Sequence, residues 1–182
     1  MRLPPTPLLL AALLGLSQCK KSNPDPVSQL PPATQTGANT FGCLVNGQPW
    51  TPSGNDGLPN SVALYDPGIN SPGGAQVNIA AYRIGSPDTY MNLYCGPITP
   101  LKNTFTMAIP LNKPPLTEAD GCYEGGSASF CGSNLTYLAG QIVLTRVDEK
   151  AGIIAGTFWF SAVQRGRNDT LKVTQGRFDY KI

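Results

Sequence analysis

From Phe41 to the C-terminus, the sequence repeats one pattern: short apolar runs, often with every second residue apolar, separated by turn residues. Strands place successive side chains on opposite faces of a sheet, so this spacing is typical of strands that bury one face. No segment carries an apolar stripe at the helical period of about 3.6 residues. The pattern predicts an all-β domain over residues 41–182: a single antiparallel β-sandwich or, alternatively, a closed lipocalin-like β-barrel.

Individual strands can be placed from these runs. Asn46-Gly47 lies between the runs 41–45 and 48–50, and this pair supplies the positive φ angles of a type I′ turn. The arrangement predicts a hairpin. Further strands are predicted over 61–65, 75–84, 90–95, 104–109, 141–147, 153–163 and 171–182. We expect the strands 90–95 and 104–109 to pair, residues 111–126 to form a loop, and the last three strands to form a meander.

The last predicted strand changes phase. Leu171 and Val173 occupy odd positions, whereas Phe178 and Tyr180 occupy even ones. An unbroken strand would send one of these sets to the wrong face of the sheet. We therefore predict a β-bulge at Gly176 that resets the alternation.

The N-terminus resembles the signal peptide of a bacterial lipoprotein over residues 1–18. Met1 and Arg2 precede an apolar run, Leu8 to Leu16, that is too short to span a bilayer, and Cys19 follows. The resemblance implies cleavage before Cys19 and lipidation of this cysteine with a diacylglycerol and an N-acyl chain. Two or more acyl chains anchor a protein stably in a membrane. The alternative is a simple secretory signal with an incidental cysteine.

Residues 19–40 are predicted to form a lipidated, disordered tether between the anchor and the domain. Four prolines among serine, glutamine, threonine and glycine leave this stretch with almost nothing to bury.

Charge and composition exclude several function classes. Residues 41–182 contain 10 lysines and arginines against 10 aspartates and glutamates, so no basic surface is available for a nucleic-acid partner. The chain contains no histidine, which removes Ser-His-Asp and Cys-His catalysis and the commonest zinc ligand. We therefore expect no cofactor and no metal, and we predict that the protein is not an enzyme.

Cysteine spacing points to an oxidising compartment. If Cys19 is lipidated, Cys43, Cys95, Cys122 and Cys131 remain, an even number with three possible pairings. We predict the bridges Cys122–Cys131 and Cys43–Cys95. Metal binding by four thiolates is the alternative, although no C-x-x-C spacing is present.

Two patches resemble a known family. The first patch is 41–50 (FGCLVNGQPW), and the second consists of 156–161 (GTFWFS) followed by 173–178 (VTQGRF). Both are similar to motifs of uncharacterised Bacteroidota lipoproteins in the DUF6252 group. The family carries no established activity, so the resemblance implies an envelope location and a β fold without assigning catalytic residues. In that phylum, acidic residues soon after the lipidated cysteine accompany surface display. Lys20 and Lys21 follow Cys19 here, which favours the outer membrane with the domain in the periplasm and leaves surface display as the alternative.

Aromatic side chains on the predicted strands are the best candidates for binding. A ring can stack on a sugar or pack against a protein partner, although strand aromatics more often belong to the core. The candidate ligand-binding residues are Trp50, Tyr82, Tyr94 and Trp159. Separately, Asp169-Thr170-Leu171 is similar to the Bacteroidota O-glycosylation acceptor, which makes Thr170 a candidate modification site.

These features favour a lipid-anchored binding or structural protein of the cell envelope, with a glycan or an envelope protein as its partner. One alternative is a histidine-independent hydrolase of envelope or dietary saccharides that uses Glu118, Asp120 or Glu124, because glycoside cleavage needs paired carboxylates. Another is a carrier of an apolar ligand inside a β-barrel.

Overall fold

The computed structural model describes residues 24–54, 57–68, 74–109, 118–167 and 169–182 of the chain. The described residues form two antiparallel sheets that pack face to face, so the prediction of an all-β sandwich is confirmed. The described strands of each sheet pair only within that sheet, and the alternative of a closed barrel is therefore wrong. The barrel cavity required by the apolar-carrier hypothesis is absent from this part of the chain.

Sheet A contains six strands: β1 (Thr40–Val45), β2 (Gln48–Trp50), β6 (Thr104–Ile109), β9 (Leu135–Asp148), β10 (Ile153–Gln164) and β11 (Thr170–Lys181). Their spatial order is β2-β1-β11-β10-β9-β6. Sheet B contains five strands: β3 (Ser61–Asp66), β4 (Ala75–Arg83), β5 (Thr89–Ile98), β7 (Ala119–Gly125) and β8 (Ala128–Phe130). Their spatial order is β3-β4-β5-β7-β8.

Helical structure in the described residues is limited to two short 3-10 helices, Pro26–Gln29 and Gly132–Asn134. Neither these nor any other described segment provides a helix with the length and hydrophobicity needed to cross a bilayer.

The predicted N-terminal hairpin and C-terminal meander are confirmed. Asn46 and Gly47 take φ angles of 49° and 80° between β1 and β2, as a type I′ turn requires. Strands β9, β10 and β11 pair in sequence, and β1 adds to the free side of β11. The two patches that carry the family resemblance therefore lie in sheet A.

Two predictions about the middle of the chain are wrong. Strands β5 and β6 do not pair with each other: β5 lies between β4 and β7 in sheet B, whereas β6 pairs with β9 in sheet A. Each strand has one buried face, and placing them in opposite sheets lets those faces meet across the core. The predicted loop over 111–126 contains β7, while residues 110–117 lie outside the described residues.

The centre of the sandwich is filled by Phe160 of β10, whose side chain is fully buried. Two glycines pack directly against this residue. A Cβ atom on Gly140 of β9 would lie 2.5 Å from Phe160 Cβ, and one on Gly121 of β7 would lie 3.0 Å from Phe160 Cδ1. Gly140 therefore accommodates the backbone and Cβ of Phe160 within sheet A, and Gly121 lets sheet B approach the ring of Phe160.

The phase change in β11 is confirmed, with the bulge at Thr174 and Gln175 rather than at Gly176. Phe158 pairs with Gly176 and Phe160 pairs with Val173, so two residues of β11 face Trp159. Gln175 has a φ of 54°, a left-handed conformation that a non-glycine residue adopts at some cost. Gly176 has a different role, because a Cβ there would lie 2.6 Å from the ring of Phe158.

The prediction of a disordered tether is wrong for residues 24–40. This segment packs along sheet A and is held by Asp179, a β11 residue with 0% exposure. The Asp179 carboxylate accepts hydrogen bonds from Thr34 Oγ1 at 2.6 Å, Thr36 N at 2.9 Å and Gly37 N at 2.7 Å. Composition alone did not reveal this contact, because the free energy that orders the segment comes from one buried carboxylate far along the chain. Residues 1–23, including the predicted signal peptide and Cys19, lie outside the described residues.

The two predicted disulfides have different outcomes. Cys122 and Cys131 form a bridge, as predicted, whereas Cys43 and Cys95 are buried free thiols. Cys43 Sγ lies 3.8 Å from Met91 Sδ. Cys95 lies four residues beyond Met91 on β5, about 13 Å away by the rise of a strand. A disulfide requires the Cα atoms of its two cysteines to lie within roughly 7 Å of each other. The predicted Cys43–Cys95 bridge is therefore wrong, although both cysteines face the core.

We expect Cys43 and Cys95 to resist alkylation in the native protein at neutral pH. Burial raises the pKa of each thiol to about 12, and only the thiolate reacts. Peptide mass spectrometry after iodoacetamide treatment should find both unmodified until denaturant is added, with Cys122 and Cys131 linked unless a reductant is present. Rapid native alkylation of either buried thiol, or a peptide linking Cys43 to Cys95, would contradict this assignment.

Candidate functional site

The outward face of sheet B carries the most concentrated group of aromatic and polar side chains. At one end, β4 and β5 enclose a groove of about 700 Å³, here called the tyrosine groove. The residues that line it include Asn60, Tyr82, Asp88, Tyr90 and Glu124. Its volume lies within the range of small-molecule and oligosaccharide-sized sites, roughly 300 to 1,000 Å³.

Tyr82 and Tyr90 form the floor of the tyrosine groove. They are directly opposite each other in the β4–β5 ladder, and their ring centroids lie 4.8 Å apart with planes inclined by 36°. Tyr82 is 42% exposed and Tyr90 is half-buried. A partly exposed ring pair of this kind offers an apolar surface against which a sugar ring can stack.

The hydroxyl of Tyr90 remains a hydrogen-bond donor at neutral pH. Partial burial raises the pKa of Tyr90, and the neighbouring Tyr82 and Glu124 raise it further. The groove thus combines a stacking surface with the neutral phenolic hydroxyl of Tyr90, both of which suit a ligand that has apolar faces and many hydroxyls.

Carboxylates at the rim give the tyrosine groove its charge. Glu124 lies opposite Tyr90 on β7, and its carboxylate accepts a hydrogen bond from Ser129 Oγ at 3.0 Å. Asp88 accepts from the backbone N–H of Gly85 at 2.7 Å and closes the β4–β5 turn. The one arginine of the groove, Arg83, has its guanidinium over Trp50, 5.4 Å from the ring centroid. The groove therefore presents acceptors and disfavours anionic ligands.

A row of linked polar side chains continues from the groove across the same face. Asn92 Nδ2 donates to Asn78 Oδ1 at 2.9 Å, and Tyr94 OH donates to Gln76 Oε1 at 2.9 Å. Tyr94 is the second outward residue after Tyr90 on β5, about 13 Å away by strand rise. The face thus carries a second half-buried ring at a distance that suits an oligosaccharide better than a single sugar.

Of the three acids considered for hydrolysis, Asp120 and Glu124 are separated by the fold, and Glu118 is paired with a lysine. Glu118 forms an ion pair with Lys102, and Glu124 bonds to Ser129. Asp120 and Glu124 both point outward from β7, but their Cα atoms are about 13 Å apart by strand rise. Burial raises the pKa of Asp120, and a hydrogen bond from the backbone N–H of Gly121 partly offsets this rise. The arrangement holds no close carboxylate pair on β7.

Trp50 is a core residue, so its prediction as a ligand-binding side chain is wrong. Its side chain is 2% exposed, and Nε1 donates to Thr89 Oγ1 at 2.9 Å. Its ring packs edge-on against Phe41, with centroids 5.9 Å apart. This large ring fills the space between β2 and β5 and contacts the tyrosine groove only through Arg83 and Thr89.

The two remaining candidates lie away from the groove. Trp159 is 48% exposed on the outward face of sheet A, the opposite side of the sandwich. Thr170 is exposed at the first position of β11, where glycosylation stays a prediction. Of the four predicted binding side chains, only Tyr82 and Tyr94 share one face.

Sequence reasoning did not reveal the pairing of Tyr82 with Tyr90, the position of Asp88 or the groove itself. Tyr82 and Tyr90 are equally distant from Ser86, so a hairpin centred on that residue would have placed them opposite each other. The turn residues Gly85-Ser86-Pro87-Asp88 were the feature of the sequence from which this hairpin could be predicted. Within the described ranges, no three aspartates, glutamates or cysteines lie close enough together to hold a metal ion.

Comparisons with protein-family models, with curated proteins and with solved structures gave no match to this chain.

Proposed function

We propose that the protein is a lipid-anchored envelope protein that binds a neutral oligosaccharide in the tyrosine groove. The observation that carries this proposal is the exposed Tyr82–Tyr90 pair at 4.8 Å, bordered by carboxylates and continued by hydrogen-bonded amides. Sugars offer C–H groups on one face and hydroxyls on the edge, which match rings and amide or carboxylate acceptors respectively.

Binding without turnover is the preferred activity. By strand rise, the Cα atoms of Asp120 and Glu124 lie farther apart than the roughly 5 to 9.5 Å that separates catalytic carboxyl groups in glycosidases, and Glu118 is engaged by Lys102. The sequence also contains no histidine to act as a general base near neutral pH. These two features support a binding protein over a hydrolase.

Anchoring rests on the resemblance of residues 1–18 to a lipoprotein signal and on Cys19. Because residues 24–40 pack on sheet A, residues 19–23 are the only chain between the proposed lipid and the folded domain. Five residues reach at most about 18 Å. The domain would therefore lie close to the membrane surface, in the periplasm at the outer membrane, with surface display as the alternative topology.

To test the groove, we would titrate purified protein with the neutral tetrasaccharides of cellulose, chitin and mannan by isothermal calorimetry. We expect saturable binding of at least one of them. Tyr82→Ala should weaken this binding about tenfold or more, equivalent to roughly 1.4 kcal/mol. Leu64→Ala is the matched control, because Leu64 is exposed on the same face but lies outside the groove.

The same samples separate binding from catalysis. Release of new reducing ends that disappears in Glu124→Gln would establish the hydrolase alternative. Absence of binding to every tetrasaccharide, or equal affinity of wild type and Tyr82→Ala, would overturn the proposal.

A further inference from the structure

We infer that Trp159 and Arg177 form a second binding site, on the outward face of sheet A, for a saccharide that carries an anionic group. This site lies on the opposite side of the sandwich from the tyrosine groove and differs from it in charge. It is therefore independent of the proposed function.

Trp159 provides the apolar surface of this site. Its neighbours on β10, Phe158 and Phe160, are buried in the core, so the alternation of the strand directs Trp159 outward. The ring borders a groove of about 520 Å³, here called the tryptophan groove. On one side the ring faces Gln141 of β9, and on the other it faces the bulge at residues 174–175.

Arg177 provides the charge, and two backbone carbonyl groups hold its guanidinium in place. Nε donates to the carbonyl of Gln175 at 3.2 Å, and Nη1 donates to the carbonyl of Pro31 at 3.4 Å. A guanidinium has five N–H donors, so three remain available to a ligand. None of the ion pairs found among the described residues includes Arg177.

The two parts of the site are close enough for one ligand to contact both. Arg177 pairs with Thr157, which lies two residues before Trp159 on the same outward face of β10. Trp159 and Arg177 both line the tryptophan groove, and the bulge at residues 174–175 borders the same groove. A sugar ring stacked on Trp159 can therefore place a carboxylate or phosphate substituent against the guanidinium.

Charge distinguishes this groove from the one on sheet B. Arg177 is the only charged side chain among the described residues that line the tryptophan groove. The tyrosine groove has Asp88 and Glu124 at its rim, and its Arg83 is engaged by Trp50 and by the carbonyl groups of Pro49 and Thr51. An anionic sugar is thus complementary to the tryptophan groove and disfavoured by the other.

Tryptophan fluorescence gives a direct test, because the chain contains only Trp50, which is buried, and Trp159. The purified protein would be titrated with tetragalacturonate, with glucose 6-phosphate and with neutral cellotetraose. We expect a saturable change in emission with at least one anionic ligand, and the choice between the first two ligands identifies carboxylate or phosphate. Trp159→Phe should abolish the signal, and higher ionic strength should weaken binding.

Variants at Arg177 test the role of its charge. Arg177→Gln should lower the affinity at least tenfold, Arg177→Lys should lower it less, and Leu64→Ala on sheet B should leave it unchanged. An equal emission change with cellotetraose that is lost in Trp159→Phe, an unchanged affinity in Arg177→Gln, or no response to either anionic ligand would overturn the inference. Loss of anionic binding in Tyr82→Ala instead would assign the ligand to the tyrosine groove and would likewise overturn it.

Discussion

Replacement of Asp179 by alanine is expected to lower the free energy of unfolding by about 3 to 5 kcal/mol, because a hydrogen bond to a charged group contributes roughly 1.5 to 3 kcal/mol and bonds that share one carboxylate are not additive. The substitution removes the acceptor of three short hydrogen bonds and leaves the N–H groups of Thr36 and Gly37 without it. Urea unfolding followed by far-UV circular dichroism measures this loss. Limited proteolysis should also show faster cleavage within residues 24–40.

The contribution of Asp179 depends on pH with a defined sign. Burial raises the pKa of this carboxyl, but the hydrogen bonds from Thr34, Thr36 and Gly37 outweigh burial and place the pKa below its ordinary value of 3.8. A carboxyl group whose native pKa is depressed stabilises the fold at pH values above its unfolded-state pKa. This stabilisation is lost as the pH falls through the native pKa. The difference in stability between wild type and Asp179→Ala should therefore be constant near neutral pH and shrink below about pH 4.

Asp169→Ala serves as the control for Asp179→Ala. Asp169 is exposed, and its ion pair with Arg167 at 3.8 Å lies on the surface, so its loss should change stability by no more than about 0.5 kcal/mol. Equal stability of wild type and Asp179→Ala, with residues 24–40 still resistant to protease, would show that the N-terminal segment is not held by this carboxylate.

Phe160→Ala and Trp159→Ala are expected to differ sharply although they are neighbours on β10. Phe160 is fully buried between the sheets, and its truncation should cost about 3 to 5 kcal/mol through lost burial and a cavity. Trp159 is half-exposed on the outward face, and its truncation should cost about 1 kcal/mol or less. Thermal and urea unfolding of the two variants measure the contrast.

This pair also tests the orientation of β10, on which the tryptophan groove depends. A strand shifted by one residue would exchange the two side chains between core and surface. A larger loss of stability in Trp159→Ala than in Phe160→Ala would therefore contradict both the packing of the core and the second binding site.

Sequence alone predicted the local structure well where strands and turns are continuous. The Asn46-Gly47 turn, the meander β9-β10-β11 and the phase change in β11 follow from alternation and turn chemistry, which act within a few residues. The Cys122–Cys131 bridge closes a short loop and was predicted for the same reason. These features require no knowledge of which strands meet across the sandwich.

Features that join distant segments were predicted poorly. The sequence does not reveal that β5 and β6 enter different sheets, that Cys43 meets Met91 rather than Cys95, or that Asp179 binds the segment before β1. Each depends on the placement of one sheet over the other, which is set by the whole core.

The same limit applies to the candidate sites. Tyr82 and Trp159 were recognised as candidate binding residues, but the sequence did not show that Trp50 is buried or that the exposed rings lie on opposite faces. The charge difference between the two grooves arises because the β4–β5 turn and β7 bring Asp88 and Glu124 to one groove, whereas Arg177 is the only charged residue described at the other. The two faces therefore became distinguishable only once the sheets were assembled.

Chemical-shift mapping of the ¹⁵N-labelled protein with a neutral tetrasaccharide tests the central claim, that the tyrosine groove binds sugar, most directly. We predict that the largest shifts will cluster at Tyr82, Tyr90, Glu124 and Gly125, and that residues around Trp159 will change little. Shifts that cluster on sheet A, or no shifts at saturating sugar, would contradict the assignment of the groove as the binding site.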